Sequence, residues 1–370
     1  MASSWHSAHV YYYDPDKDAL LLDAIRPLLH QLRPVVESAY VVRHWRQGPH
    51  LRVHVRTDPH TWTSIVQPQL EQIIGAYLRA HPSTVTLDER AELPMHLLLA
   101  EREQERGPLS PWFPDNSIQY QPYDPRLHVL GDQRVADLLA DYLAASTETL
   151  FELLEHIRSG ADTKELLSLG LMLATSHTLA PPLHRSFMSY RSHAEGFLAG
   201  STDPEATRAA FDAYYRTHHR TWIGRTRAVI ATLEDRPEGP PVPFVRDWAA
   251  LLTTYTDRAA PLIEADLVYQ ETPVPQPGDP PRPGYLQMLF ANRAYRDRVL
   301  DTPHFRRYRL GLNWTYLQLN RLGVTPFQRM RTCYLVAKTV EDVCGVSVDD
   351  MVKEFAERLG DQVTTLDASP

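Results

Sequence analysis

Cysteine is nearly absent from this chain, with only Cys333 and Cys344 in 370 residues. Two thiols cannot build a cysteine-based zinc site. The N-terminus, Met-Ala-Ser-Ser-Trp-His, lacks the basic patch and apolar stretch of a secretion signal. A disulfide is therefore not expected, and the reducing cytoplasm is the expected location. No apolar run approaches the roughly eighteen residues of a membrane-spanning helix, so no membrane partner is expected. The 16 glycines are scattered, and no glycine-rich phosphate cradle follows a strand, which removes the usual signature of nucleotide binding. An excess of basic charge is also missing. With 46 acidic residues against 38 Lys and Arg, the net charge of -8 argues against a nucleic-acid partner.

What is present suits a folded enzyme-sized chain. Hydrophobic residues at 43% and charged residues at 23% supply a sizeable core. The length fits one large domain or two intimately packed ones, without internal repeats. One segment departs from the acidic balance. Val42 to Arg56 holds Arg43, Arg46, Arg52, Arg56, His44, His50 and His54, with no Asp or Glu. Such a face on an acidic protein suits an acidic ligand better than a bulk polyanion.

The first eighty residues read as β-α-β-β-α. His6 to Tyr13 is a strand stopped by Asp14-Pro15-Asp16. Lys17 to Leu32 has helical apolar spacing, with Pro27 expected to kink or break it. Ser38 to Trp45 and His50 to Arg56 form a hairpin around Gln47-Gly48-Pro49. Leu51, Val53 and Val55 alternate with His50, Arg52, His54 and Arg56, so the basic side chains share one sheet face. Thr61 to Ala80 is a second helix, and either Ser83 to Leu87 or Gln119 to Tyr123 would close a ferredoxin-like unit.

From about Gln133 onward helical periodicity dominates. Arg134 to Ile157 is a helix or helix pair, followed by Thr163 to Thr178 and Ser186 to Leu198. Asp203-Pro204-Glu205 starts a helix reaching about Leu233. After the Pro-rich breaks Glu238 to Pro243 and Glu271 to Pro283, helices are expected at Gly284 to Leu300, Phe305 to Leu322, Pro326 to Val343 and Ser347 to Leu359. The second break is either a lid or a plain connector. The expected architecture is α+β, a small antiparallel ferredoxin-like sheet against a mainly helical body. It forms a single catalytic domain over residues 1–360, with the sheet within residues 1–132 and the helical body over residues 133–360, followed by a tail at 361–370.

Three separated stretches resemble the elimination-domain family of lantibiotic dehydratases and thiopeptide-type bacteriocin biosynthesis proteins. They are Tyr40-Val-Val-Arg-His-Trp-Arg-Gln-Gly-Pro-His-Leu-Arg-Val-His-Val-Arg56, the helix after the Gly-Asp turn over Gln133 to Leu153, and Leu319-Asn-Arg-Leu-Gly-Val-Thr-Pro-Phe-Gln-Arg329. Their order and spacing carry the likeness. Two departures qualify it. Family members that eliminate glutamate usually present a His four residues before the Asn-Arg pair, where this chain has Tyr316. Their element ending in Arg-Tyr-Gly-Gly is replaced by Tyr123-Asp-Pro-Arg-Leu-His-Val-Leu-Gly-Asp132. Both point to the branch that forms pyridines in thiopeptides. The family's glutamylation domain is not in this sequence, so aminoacyl-tRNA is not an expected substrate.

The resemblance implies a formal aza-[4+2] cycloaddition between two dehydroalanines of a modified precursor peptide, with loss of water and of the leader peptide. Such a reaction calls for no metal or other cofactor. It needs positioning, worth on the order of 7 to 11 kcal/mol in well-aligned cases, and proton transfer, worth roughly 10²- to 10⁴-fold. Tyr316 is the first candidate proton carrier, on an inward stripe with Tyr308, Leu312, Leu319 and Leu322. A core tyrosine tied to a backbone carbonyl would show the same pattern. His193 is the second candidate. It shares a helix face with Ser189 but not with Glu195, so the three are not a Ser-His-acid triad.

Arg43, Arg52 and Arg56 are candidate substrate- or leader-binding groups, against the alternative of a solvated sheet face. Arg321 is a candidate binding group or a structural anchor of the sheet-helix junction. His218-His219 and His50 with His54 are ligand types without a matching cluster, so no metal is expected. Two other functions stay open at this point: a stand-alone glutamate-eliminating dehydratase subunit, and a non-catalytic leader-binding partner. Assembly as a homodimer is left open too.

Overall fold

Runs rich in Val, Tyr and Thr form four strands, β1 (Ser4–Tyr11), β2 (Ser38–His44), β3 (His50–Thr57) and β4 (Ser117–Gln121), in a computed structural model that describes residues 3–268 and 295–359. The sheet is antiparallel throughout with order β2-β3-β1-β4, the ferredoxin-like arrangement expected from the sequence. The closing strand is the second of the two predicted candidates, beginning slightly earlier. Ser83 to Leu87 is irregular. In the β2–β3 connection Gln47 and Gly48 have φ of 60° and 106°. A Cβ on Gly48 would lie 2.9 Å from the Tyr13 hydroxyl, so the turn needs glycine for both conformation and space.

Two helices follow β1 and β3, and each is interrupted in the same way. Asp18–Leu20 runs through a π turn, Leu21–Ile25, into Arg26–Leu32. Pro59–Thr61 runs through a π turn, Trp62–Val66, into Gln67–Ala80. Pro27 and Pro68 each stand just after the widened turn. A proline offers no N–H and its ring collides with the carbonyl one turn back, and the π turn absorbs that conflict without breaking the helix. The predicted effect of Pro27 is thus a local widening. His6 stacks on Trp62 at 4.9 Å, and Tyr120 donates to Glu71 at 2.9 Å, which places the second helix on the aliphatic side of the sheet.

The described residues fall into two compact units, Met1–Asp162 with Gln318–Val324, and Thr163–Leu317 with Thr325–Pro370. The division comes at Asp162. The predicted helix pair, Gln133–Ala145 and Thr147–Arg158, is formed but belongs with the sheet. Its side chains show why: Glu148 lies against Arg26, His30 and Arg33, and Arg158 pairs with Asp23 at 2.6 Å. Helical periodicity gives the element, and these pairings run from it to the first helix of the sheet unit.

The second unit is all helical where described. Lys164–Leu179 is buried almost all round, from Leu167 to Ser176, and serves as its central helix. Around it in sequence come Leu183–Ala199, Pro204–Leu233, Val245–Glu264, Pro303–Arg321 as far as Leu317, Pro326–Cys344 and Val348–Leu359. The predicted start at Asp203 is present, its carboxylate accepting from Ala206 N–H at 2.9 Å. Thr325 and Gln328 form a reciprocal capping box for Pro326–Cys344. The Glu271 to Pro283 connector, the beginning of the Gly284 to Leu300 helix and the 361–370 tail lie outside the described residues.

Candidate active site

Three helices of the second unit bring Tyr316, His193 and Cys333 together. The Tyr316 hydroxyl lies 2.7 Å from His193 Nδ1 and 3.2 Å from Cys333 Sγ. The His193 and Tyr316 rings meet edge to face at 5.6 Å. Arg329, one turn before Cys333 on the same helix, places its guanidinium 5.1 Å from the Tyr316 ring centre. Tyr316 and Cys333 are buried and His193 is half-buried. His193 Nε2 makes no hydrogen bond to the described residues.

The neighbouring tyrosines show what an ordinary core tyrosine does here. Tyr190 donates to the Met172 carbonyl at 2.5 Å, and Tyr308 bonds Ser176 and the Ser186 carbonyl at 2.9 and 3.2 Å. Tyr316 differs in that both its partners are titratable side chains.

Burial sets the charge of this cluster. It holds the Tyr316 phenol well above its usual range, with Cys333 and Tyr190 adding to the effect. Burial, then the cations Arg309 and Arg329, lowers His193 to about 4. Burial raises the Cys333 thiol to about 12. At neutral pH the group is a protonated phenol, a neutral imidazole and a thiol. Such a set can give and take protons at an amide without first placing a net charge in the interior.

The basic strand segment is not the open face the alternation suggested. His50, Arg52 and His54 are buried along with Leu51, Val53 and Val55, so both faces of β3 are covered. The neutralising acids come from far along the chain. Arg43 pairs with Asp18 at 2.8 Å and donates through Nε to the Arg321 carbonyl at 2.9 Å. Arg56 pairs with Glu37 at 3.1 Å. Glu105 is approached by Arg46 at 3.6 Å and by Arg52 and Arg126 at 3.7 Å. Arg52 also donates from Nε to His50 Nε2 at 3.1 Å, while its Nη2 is buried without a hydrogen bond. His9 is lowered to about 3 by burial and then by Arg52 and Arg46. His44, His50 and His54 are also held well below the usual range, burial again leading.

Arg321 is buried and fully engaged by neighbouring acceptors. It donates to the Val41 carbonyl at 2.9 Å, Ser146 Oγ at 2.8 Å, Gln318 Oε1 at 2.9 Å and Thr147 Oγ1 at 2.5 Å. Four bonds from a buried guanidinium tie β2 to the break between Gln133–Ala145 and Thr147–Arg158. Arg43, with Asp18 and a backbone carbonyl as its partners, is likewise engaged within the fold. Counting cysteines for metals and disulfides missed Cys333, whose helical spacing from Arg329 was a legible signal. Glu105 had none, lying in a polar run, Glu101 to Glu105, that resembles a solvated surface.

The family described as lantibiotic biosynthesis dehydratase C-term matches residues 5–340. The chain belongs to this family. Among solved structures, the family member is similar to "Pyridine synthase, TbtD, from thiomuracin biosynthesis", with 34% sequence identity over 93% of this chain and 99% of that one and a TM-score of 0.76. It shares its fold with TsrL, at 20% identity over 95% of this chain and 98% of that one and a TM-score of 0.73. No curated protein matches the sequence. Among the described residues, no helix is long and apolar enough to cross a membrane.

Proposed function

We propose that this chain is a pyridine synthase, an enzyme that forms the central pyridine of a thiopeptide macrocycle from two dehydroalanines of a leader-bearing precursor peptide. The observation that carries the reading is the likeness to TbtD along nearly the whole of both chains. The first dehydroalanine and its neighbouring amide tautomerise to an imidic acid, which supplies the azadiene. Addition to the second dehydroalanine closes the ring. Loss of water, then of the leader as a carboxamide, gives the aromatic product.

The tautomerisation and the losses of water and leader move protons on or off nitrogen and oxygen, and the His193–Tyr316 pair is the proton carrier. His193 is the member that touches substrate, because its Nε2 is not held by the described residues, and Tyr316 acts behind it through Nδ1. Arg52 is the arginine assigned to the peptide, since its buried Nη2 approaches Glu105 only at 3.7 Å and makes no hydrogen bond. Arg56, at the surface with Glu37, is assigned a weaker contact with an acidic leader.

The test is incubation of the purified protein with a precursor already carrying dehydroalanines, without transfer RNA or ATP. Mass spectrometry should show a macrocycle together with a released leader carboxamide. Release of glutamate from a glutamylated precursor, with the chain left intact, would overturn the proposal.

A further inference from the structure

The helix Glu89–Glu103, within the Met1–Asp162 unit, is held along one side only. His96, its one buried residue, meets the rings of Trp45 and Trp112 at 4.9 and 5.2 Å. On the same side Glu89 accepts from the Trp112 N–H at 3.1 Å, and Trp45 Nε1 donates to Glu103 at 3.0 Å. Ala91, Pro94, Met95 and Leu98 recur at helical spacing on the other side, and all are exposed. Met95, Leu97 and Leu98 are 54%, 57% and 40% exposed. Leu127, also 40% exposed, is next to His128, whose Nε2 lies 2.8 Å from the Gln104 carbonyl at the end of this helix. Among the described residues, four of the seven exposed large apolar side chains therefore sit on or beside one helix. Exposed apolar residues scattered singly need no explanation, whereas a cluster marks an interaction site.

The charges bordering this face are complementary to themselves. Arg90 precedes the apolar row and Glu101 follows it about three turns later, on the same flank. Both are exposed, and neither forms an ion pair with another described residue. Two copies of the helix laid antiparallel, about a two-fold axis passing between Met95 and His96, bring Arg90 of each to Glu101 of the other, so the same attraction is made twice. That register also sets Arg102 beside the acidic start of the second helix at Asp88 and closes the two apolar rows on each other. A parallel arrangement would instead set Arg90 against Arg90 and Glu101 against Glu101. An acidic peptide finds no excess of cations here, because Glu101 stands between Arg90 and Arg102 on the exposed side.

We propose that the helix Glu89–Glu103 is a self-association surface, which docks antiparallel on the same helix of a second copy of this chain to form a two-fold dimer. One helix pair buries less than the roughly 1,000 Å² of a permanent interface, so the dimer is weak and depends on concentration. The surface shares no residue with the His193–Tyr316 pair. It stands whether or not the chain is a pyridine synthase.

Sedimentation velocity of the full chain over a wide concentration series tests this. The mass should move from one chain toward two as concentration rises, and L98E should stay at one. R90E and E101R each set like charges together twice and should weaken association about tenfold. The double variant R90E/E101R, which exchanges the charges, should restore it. All of these positions are exposed, so circular dichroism should be unchanged throughout. A monomer at every concentration, a dimer that L98E leaves intact, or a charge exchange without rescue would overturn the proposal. So would a monomeric wild type whose binding of the precursor peptide is lost in L98E, which would give this face to the peptide.

Discussion

On the polar side of the sheet three guanidiniums, Arg46, Arg52 and Arg126, approach one carboxylate, Glu105, and four histidines around them are held neutral. In the second unit Tyr316, His193 and Cys333 are equally enclosed but carry no charge at neutral pH. The first cluster is a fixed field. It can hold a polar ligand, but moving a proton within it means changing charge at a buried site, which is costly. The second can reverse the direction of its hydrogen bonds with no change in charge. Burial alone therefore does not separate the two clusters, whereas the partners of each side chain do.

Y316F tests this division most severely. It removes one hydroxyl and keeps the ring, so the protein should fold with an unchanged melting temperature while cyclisation falls roughly 10²- to 10⁴-fold, about 3 to 5 kcal/mol in barrier. Release of the leader carboxamide, followed by mass spectrometry, gives the rate. Unchanged turnover would remove Tyr316 from the chemistry and leave two clusters of the same structural kind.

R321A should act on stability instead. It strands the acceptors of Val41, Ser146, Thr147 and Gln318 in the interior, and the expected loss is about 3 kcal/mol or more, read from the denaturant midpoint. A midpoint close to wild type would count against an anchoring role for Arg321.

Acid separates the two regions by number. A histidine kept neutral by folding is protonated first in the unfolded chain, so stability falls as pH drops below the ordinary value of about 6.5 and levels off below the folded value. For His193 the window runs down to about 4, and for His9 to about 3. With four such histidines by the sheet and one beside Tyr316, H193Q should remove only a minor share of the slope between pH 6.5 and 4. Turnover limited by His193 should show no inflection near pH 6.5. An inflection there that H193Q abolishes would mean that the ring is charged in use.

The smallest effects belong to the arginines of β3. R52A should weaken precursor binding about tenfold by removing a buried charge-assisted donor. R56A, at an exposed pair with Glu37, should change stability by less than about 0.5 kcal/mol and weaken leader binding slightly, in a salt-sensitive way. Equal effects of both changes would mean that burial does not rank them.

Local signals in the sequence were sufficient for the elements: period-two alternation for β3, period-3.6 stripes for the helices, and Asp203-Pro204 for a helix start. The Tyr316–His193 pair was named residue by residue, although the contact between them was not, because residues so far apart leave no local trace of meeting. The acids were harder still. Val42 to Arg56 looks unneutralised only while the chain is read in order, since Asp18, Glu37 and Glu105 reach it through the fold. Alternation also failed to show that the basic side of β3 is covered, because polar residues at strand spacing look alike whether they face water or a second layer.

The two π turns make a statement about insertion and deletion. A widened turn is an α-helix with one residue too many, and an extra residue would rotate everything beyond it by about 100° if the helix continued regularly. In both sheet-facing helices the surplus sits just ahead of a proline, which cannot complete the regular turn. Each proline and its surplus residue thus form a matched pair. Deleting one residue from Leu21–Ile25 while retaining Pro27 should unfold that helix locally, because the ring then meets a regular turn. Combining the same deletion with Pro27→Ala should restore a straight helix with the same buried stripe.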